Sequence, residues 1–226
     1  FGKNHFCQVC ERSISMFLSY GDPKRSNAFC PMYGSLERHR FDWKFFKDKT
    51  NLFDPFPKKM LHFAPEKIFK FRLKGLQRLE YHTADLSQPG TTFSVDIENT
   101  PFPENTYDVV YCSHVLEHVS SDRQAMRELC RILKPGGWAV FQVPILSDKT
   151  IENTEITNPD ERKKLFGQRD HVRSYGIDFK DRLEEEGFKV TAILPPEVWG
   201  KNFDFSMGIP DEEKLFFCEK INRKNQ

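Results

Sequence analysis

The sequence has no apolar run approaching the ~18–20 residues that a membrane-spanning helix needs, and nothing at its start reads as a secretory signal. It has no internal repeat and no low-complexity tract. It also lacks a strong charge of either sign: 34 Lys+Arg stand against 33 Asp+Glu, a net charge of +1. With 38% hydrophobic and 30% charged residues, its 226 residues make a globular composition, enough for one good-sized domain or a domain with a small appendage. The chain starts at Phe1 rather than Met, so a missing upstream piece stays open.

The small charge excess is uneven. Residues 1–60 carry 11 Lys+Arg and 6 Asp+Glu, against 23 and 27 in residues 61–226. A basic, aromatic-rich segment can attract anionic partners, nucleic acid among them. A solvated surface that is only modestly basic is the preferred reading.

The six cysteines form no obvious disulfide framework. Cys112 and Cys218 lie in apolar, strand-like runs and Cys130 on a helical pattern, as small buried hydrophobes do. A reducing, cytoplasmic setting follows as the expectation. Cys7, Cys10 and Cys30 stand apart, in a turn-rich segment unlike the rest.

From residue 60 onward strands and helices alternate. KMLHFA, RLEYHTADL, TTFSVDI, TYDVVYCSHVL, WAVFQVPI, KVTAILP and KLFFCEKI read as strands. KIFKFRLKGLQ, SDRQAMRELCRIL and FKDRLEEEGF read as helices, the second stopped by KPGG and the third by Gly187. This alternation predicts a doubly wound α/β sheet, whose ligands bind beyond the carboxyl ends of the strands. The expected organisation is a cysteine-bearing lobe over 1–40, a helical connector over 41–59 and the main domain over 60–226. SLERHR (35–40) reads as a helix start leading into that domain, in preference to a lip of the acceptor site.

Several stretches in order resemble one family. DIENTPFPENTYDVVYCSHVLEHV, AMRELCRILKPGGWAVFQVP and RDHVRSYGIDFKDRLEEEGFKV together resemble the class I S-adenosylmethionine-dependent methyltransferases, over roughly residues 58–221. LHFAPE with YHTADL and SLERHR is similar to a subgroup in which the glycine loop gives way to a leucine–histidine–x–Ala–Pro–Glu signature. The resemblance implies a Rossmann-like, seven-stranded sheet, S-adenosylmethionine as cofactor and a transferase activity.

A site for that cofactor needs particular residue types. A carboxylate after the second strand can accept the ribose hydroxyls, and Asp85 stands there. A second can accept the adenine amine beside an apolar ring neighbour, as Asp96 and Ile97 can. Each acid could equally serve an Asx turn or a surface. The first loop departs from the family, with Phe63, Ala64, Pro65 and Glu66 where glycines are usual. Ala64 leaves room for the backbone to approach the cofactor. Glu66 is placed to pair with its ammonium, or simply to begin a helix. Ser113 and His114 complete the expected cofactor set.

The acceptor side rests on His118 and His171 as candidate bases, each also readable as a structural histidine. Arg169, Arg173 and Tyr175 are candidate binders of an anionic or sugar-like acceptor, although Arg169 and Asp170 could simply pair with each other. Cys7-x2-Cys10 and Cys30 resemble a zinc knuckle whose fourth position is Tyr33, leaving His5, His39 or water to complete a tetrahedron, unless the metal has been lost and aromatic packing holds the lobe instead. O-methylation of a small-molecule or glycan acceptor is the leading functional expectation, with a monomer or homodimer and no membrane partner. RNA methylation, using the basic segment, and a degenerate non-catalytic fold are the alternatives.

Overall fold

A computed structural model of the chain describes residues 2, 4–200 and 205–221. The parts of the expected lobe and domain at 1, 3, 201–204 and 222–226 lie outside it. In chain order come strands β1 (His5–Cys7), β2 (Arg12–Ile14), β3 (Leu18–Tyr20) and β4 (Arg25–Phe29), then helix α1 (Glu37–Lys49). Next are β5 (Lys58–Phe63), α2 (Lys67–Leu73), β6 (Leu79–Asp85), β7 (Phe93–Ser94), β8 (Tyr107–Ser113) and α3 (Asp122–Ile132). Then follow β9 (Leu133–Gln142), β10 (Ile145–Ser147), β11 (Ile151–Glu152), α4 (Pro159–Phe166) and β12 (Arg173–Gly176). Finally come α5 (Phe179–Glu185), β13 (Phe188–Ile193), α6 (Pro195–Trp199) and β14 (Leu215–Lys220).

These elements gather into two compact units that interleave along the chain, rather than following cuts after residues 40 and 59. One, the small unit, draws on residues 1–57, 66–79 and 193–215; the other, the sheet unit, on 58–65, 80–192 and 216–226.

The sheet unit carries a seven-stranded sheet in the order β13-β14-β9-β8-β5-β6-β7. Strand β8 runs parallel to both β5 and β9, and β14 runs antiparallel to β9. This is the expected Rossmann-like sheet. Val109, Val110, Tyr111 and Cys112 of β8 are all buried, as a central parallel strand covered on both faces requires. Helix α3 buries Ala125, Met126, Leu129 and Ile132 on one face. Its Ser121 N-cap accepts a hydrogen bond from the Gln124 N–H at 3.3 Å.

KPGG does more than end α3. Tyr107 pairs with Leu133 and Val109 with Trp138, so extra residues bulge out of β9 at this turn. Gly136 takes φ +76°, and a Cβ on Gly137 would sit 2.8 Å from the Asp108 carbonyl oxygen, which only glycine avoids.

Strands β10, β12 and β11 form a separate three-stranded sheet in that order. Sequence periodicity does not announce it, because strands of two to four residues are too short to show alternation.

The small unit holds two hairpins, β1-β2 and β3-β4, and an aromatic core. Trp43 stacks on Phe69 with ring centroids 6.0 Å apart, and Phe46 lies 6.1 Å from the same ring. Arg40 is fully buried among them, its guanidinium 3.9 Å from the Phe17 ring centroid.

Candidate functional site

The chain leaves β5 through Ala64, whose φ is +47° and whose N–H donates to the Ala84 carbonyl at 2.9 Å. It leaves the neighbouring strand β8 through His114, with φ +54° and its N–H donating to the Gln142 carbonyl at 2.8 Å. A left-handed backbone costs a non-glycine residue roughly 1–2 kcal/mol. Two such residues at the carboxyl ends of adjacent strands mark a strained locus of the kind found at ligand sites. They also flank the switch point, because β6 lies on one side of β5 and β8 on the other. Ala64 thus adopts the conformation that glycine usually supplies in this loop.

Other candidate cofactor residues border the same end of the sheet. At the end of β6, the Asp85 Oδ1 accepts from the N–H groups of Ser87 and Gln88 at 2.8 and 2.6 Å. Its Oδ2 has no partner among the described residues. Asp96 is exposed and its Oδ1 accepts from the Glu98 N–H at 2.9 Å. Both acids therefore make Asx turns, and each keeps an oxygen for something else. Ile97 is buried beside Asp96, and the Pro65 carbonyl accepts from Gln88 Nε2 at 3.3 Å. Phe63 points into the core, where only its backbone could serve a ligand. Ser113 is buried and donates to Gln142 Oε1 at 3.2 Å.

Glu66 belongs to the small unit. It is the N-cap of α2 without a side-chain capping bond, and its Oε1 lies 3.5 Å from His39 Nε2. His39 accepts the Leu36 N–H on Nδ1 at 3.0 Å, so the proton of the neutral ring sits on Nε2, facing that carboxylate. His39 is therefore engaged away from the thiols.

The loop after β8 is pinned from beneath. Arg173 is 1% exposed; its Nη1 donates to the carbonyls of Leu116 and Val119, both at 2.6 Å, and its Nη2 to that of Ser120 at 2.9 Å. Its Nε donates to Glu152 Oε2 at 3.1 Å. Tyr175, fully buried, donates to Asp122 Oδ2 at 2.8 Å. These contacts correct the expectation that Arg173 and Tyr175 bind an acceptor: the Arg173 donors are spent on the 116–120 backbone and Glu152, and the Tyr175 hydroxyl on Asp122. Arg169 is exposed and pairs with Asp160 at 2.7 Å, not with Asp170.

On that support stand His114, Glu117 and His118, with His171 beside them. Glu117 is 1% exposed, and its Oε1 lies 3.1 Å from His114 Nδ1. Burial pushes the Glu117 carboxyl up, but the hydrogen bond and charge of His114 outweigh it and leave the pKa below the usual range. His118 Nδ1 is 3.3 Å from Asp170 Oδ2, and its ring meets His171 edge-on at 4.7 Å. His171 is buried, donates from Nδ1 to the Phe166 carbonyl at 3.0 Å, and has its pKa lowered chiefly by burial. Glu117 was not singled out in the sequence; its place three residues after His114 in VLEHV was the available signal.

In the small unit Cys7, Cys10 and Cys30 come together, each offering a sulfur within 4.8 Å of the others. Cys10 Sγ and Cys30 Sγ are 3.8 Å apart, about the edge of a tetrahedron with ~2.3 Å zinc–sulfur bonds. Ser35 Oγ lies 3.1 Å from Cys7 Sγ. Hydrogen bonding from Cys7 holds the Cys30 pKa well below the usual thiol range. Tyr33 is half exposed and stacks on Phe71, and His5 is bonded to the Ser206 carbonyl at 3.0 Å. Neither joins the three sulfurs.

Comparison with known proteins bears on the sheet unit. Residues 59–141 match the family described as "Methyltransferase domain". The match of the methyltransferase domain runs from β5 through β9, across both left-handed residues. An S-adenosylmethionine-dependent methyltransferase from Mesorhizobium loti has the same fold, with a TM-score of 0.52 at 13% identity, over 78% of this chain and 95% of that one. So does the Burkholderia thailandensis 1,6-didemethyltoxoflavin-N1-methyltransferase, solved with 1,6-didemethyltoxoflavin and S-adenosylhomocysteine bound (TM-score 0.51, 12% identity, 82% and 87% covered). A ubiquinone/menaquinone biosynthesis C-methyltransferase of Laribacter hongkongensis is 43% identical over 42 residues, 19% of this chain and 17% of that protein. An uncharacterized protein of Methanocaldococcus jannaschii is 28% identical over 129 residues, 55% of each. The chain thus spans under a fifth of the first of these relatives and about half of the second. No helix among the described residues is long and apolar enough to cross a membrane.

Proposed function

We propose that the chain is an S-adenosylmethionine-dependent methyltransferase acting on a hydroxyl of a small molecule or glycan. The observation that carries this reading is the pair of left-handed residues, Ala64 and His114, flanking the switch point inside the matched methyltransferase domain. The cofactor supplies the methyl group. Asp85, whose second oxygen is uncommitted, would accept a ribose hydroxyl, and Asp96 the adenine amine with Ile97 against the ring. Backbone at Phe63, Ala64 and Pro65, with Ser113 and His114, would line the approach to the amino-acid tail. His118, partly exposed, is the reachable proton acceptor on the acceptor side, with His171 behind it and exposed Arg169 nearby in sequence.

Calorimetry with S-adenosylhomocysteine should show saturable binding, weakened at least tenfold by Asp85→Ala. Absence of binding to the unmodified chain at millimolar ligand would overturn the assignment.

The three sulfurs of the small unit fit a structural zinc ion held by Cys7, Cys10 and Cys30, with water at the fourth position. Their separations and their common burial support this reading. Protein purified without chelator should carry one zinc per chain, lost in Cys30→Ser; metal-free protein from such a preparation would remove the ion from the proposal.

A further inference from the structure

One ligand atom from each of Glu117, His118 and His171 lies within 4.8 Å of the others. What distinguishes this group from a chance cluster is how the remaining atoms are used. His171 gives its Nδ1 proton to the Phe166 carbonyl, which leaves the Nε2 lone pair with no partner among the described residues. His118 sets Nδ1 against the Asp170 carboxylate and likewise keeps Nε2. Glu117 commits Oε1 to His114, while its Oε2 is buried without a hydrogen-bond partner. Leaving a buried carboxylate oxygen unsatisfied is costly, and native proteins rarely accept that without a reason.

Metal-ligating side chains show this same division of labour. The outer nitrogen of each histidine is tied to a carbonyl or carboxylate, which fixes the tautomer and aims the inner lone pair. Here all three candidate ligands have such an outer partner: Phe166, Asp170 and His114. From this we infer that Glu117, His118 and His171 form a binding site for a divalent transition-metal ion. Two imidazoles and one carboxylate suit manganese, iron, cobalt, nickel or zinc, and they leave coordination positions open. His118 is 35% exposed at its side chain, so the open side of the group faces solvent. An acceptor hydroxyl would then meet the cation before it met a bare imidazole. That role rests on the methyltransferase reading; the binding of the cation does not.

The thiol cluster of the small unit could also bind zinc, so the probe must prefer nitrogen and oxygen ligands, as Mn²⁺ does. Titration of the full chain with Mn²⁺, followed by calorimetry and by loss of the free-ion paramagnetic resonance signal, should give one saturable site. Glu117→Gln and His118→Ala should each weaken it at least tenfold, and Cys30→Ser should leave it unchanged. His118→Ala removes a partly exposed ring, and its thermal midpoint checks that the fold persists. No saturable Mn²⁺ binding, or binding equally tight in His118→Ala, would overturn the site. Binding of S-adenosylhomocysteine, measured on the same samples, reports separately on the methyltransferase reading.

Discussion

Each compact unit holds one arginine that is all but fully buried, Arg40 in one and Arg173 in the other, and they are compensated differently. In the small unit Arg40 donates to five carbonyls, those of Asn27, Ala28, Ser35, Met207 and Gly208. No carboxylate among the described residues bonds to it, and burial pulls its pKa down to about 10. In the sheet unit Arg173 spends three donors on the loop after β8 but keeps Glu152 as a counter-ion, with Asp122 3.8 Å away. One arginine replaces secondary structure as the partner of orphan carbonyls in a lobe of short strands. The other fixes a single functional loop on a sheet that already holds itself together.

That contrast can be broken directly, and this is where the largest effects are expected. Arg40→Met and Arg173→Met should each cost roughly 3–5 kcal/mol, because each strands several buried polar groups. Their distribution should differ. Hydrogen exchange in Arg40→Met should accelerate across β1 to β4 while β5, β8 and β9 stay protected. In Arg173→Met the loss should centre on residues 115–120. Arg40→Lys should not recover the loss, since one ammonium cannot serve five carbonyls. Equal loss of protection across both units in either variant would mean that they unfold as one cooperative body.

The same difference explains what could be read from the sequence. The sheet unit was legible because its strands and helices are long enough to carry a period: Val109 to Cys112 and Ala125 to Ile132 announce a buried strand and an amphipathic helix. Strand ends then located Asp85, Asp96 and His114. Arg173 and Tyr175 misled because a charged or hydroxylated residue near a site suggests a ligand, whereas here Arg173 serves the backbone of the loop and Tyr175 the Asp122 carboxylate. Their partners are more than fifty residues away in sequence, and no local pattern reports such a contact. The small unit was legible only through its cysteines. Its second and third segments, α2 and α6, are separated from the lobe by strands of the other unit.

A smaller effect separates the units by pH. Glu213, in the small unit, has its pKa raised from 4.5 to about 7, first by burial and then by the negative charge of Glu37. Because the folded-state value lies above the unfolded one, folding takes up protons between them. The associated stability is complete below pH 4.5 and is lost as the pH rises through about 7. Glu213→Gln should therefore stabilise the small unit by about 2 kcal/mol at pH 8 and leave it nearly unchanged at pH 4. The readout is exchange in β1 to β4 at the two pH values. An equal effect at both would show that the carboxyl is not held protonated by its surroundings.

The smallest expected effect lies at Ala64. Glycine there would relieve the left-handed strain of roughly 1–2 kcal/mol, but it would also raise the entropy of the unfolded chain by about 0.5–1 kcal/mol. Ala64→Gly should thus be stabilising by only about 0.5 kcal/mol in a denaturant titration, with binding of S-adenosylhomocysteine within twofold of the unmodified chain. Ala64→Val adds a β-branch in the same conformation and should reverse the sign, costing more than about 1 kcal/mol. If Gly destabilised the chain as Val does, the methyl of Ala64 would be a packing group rather than a tolerated one. The absence of glycine from this loop would then be a requirement of the sheet unit, not merely a departure from the usual spelling.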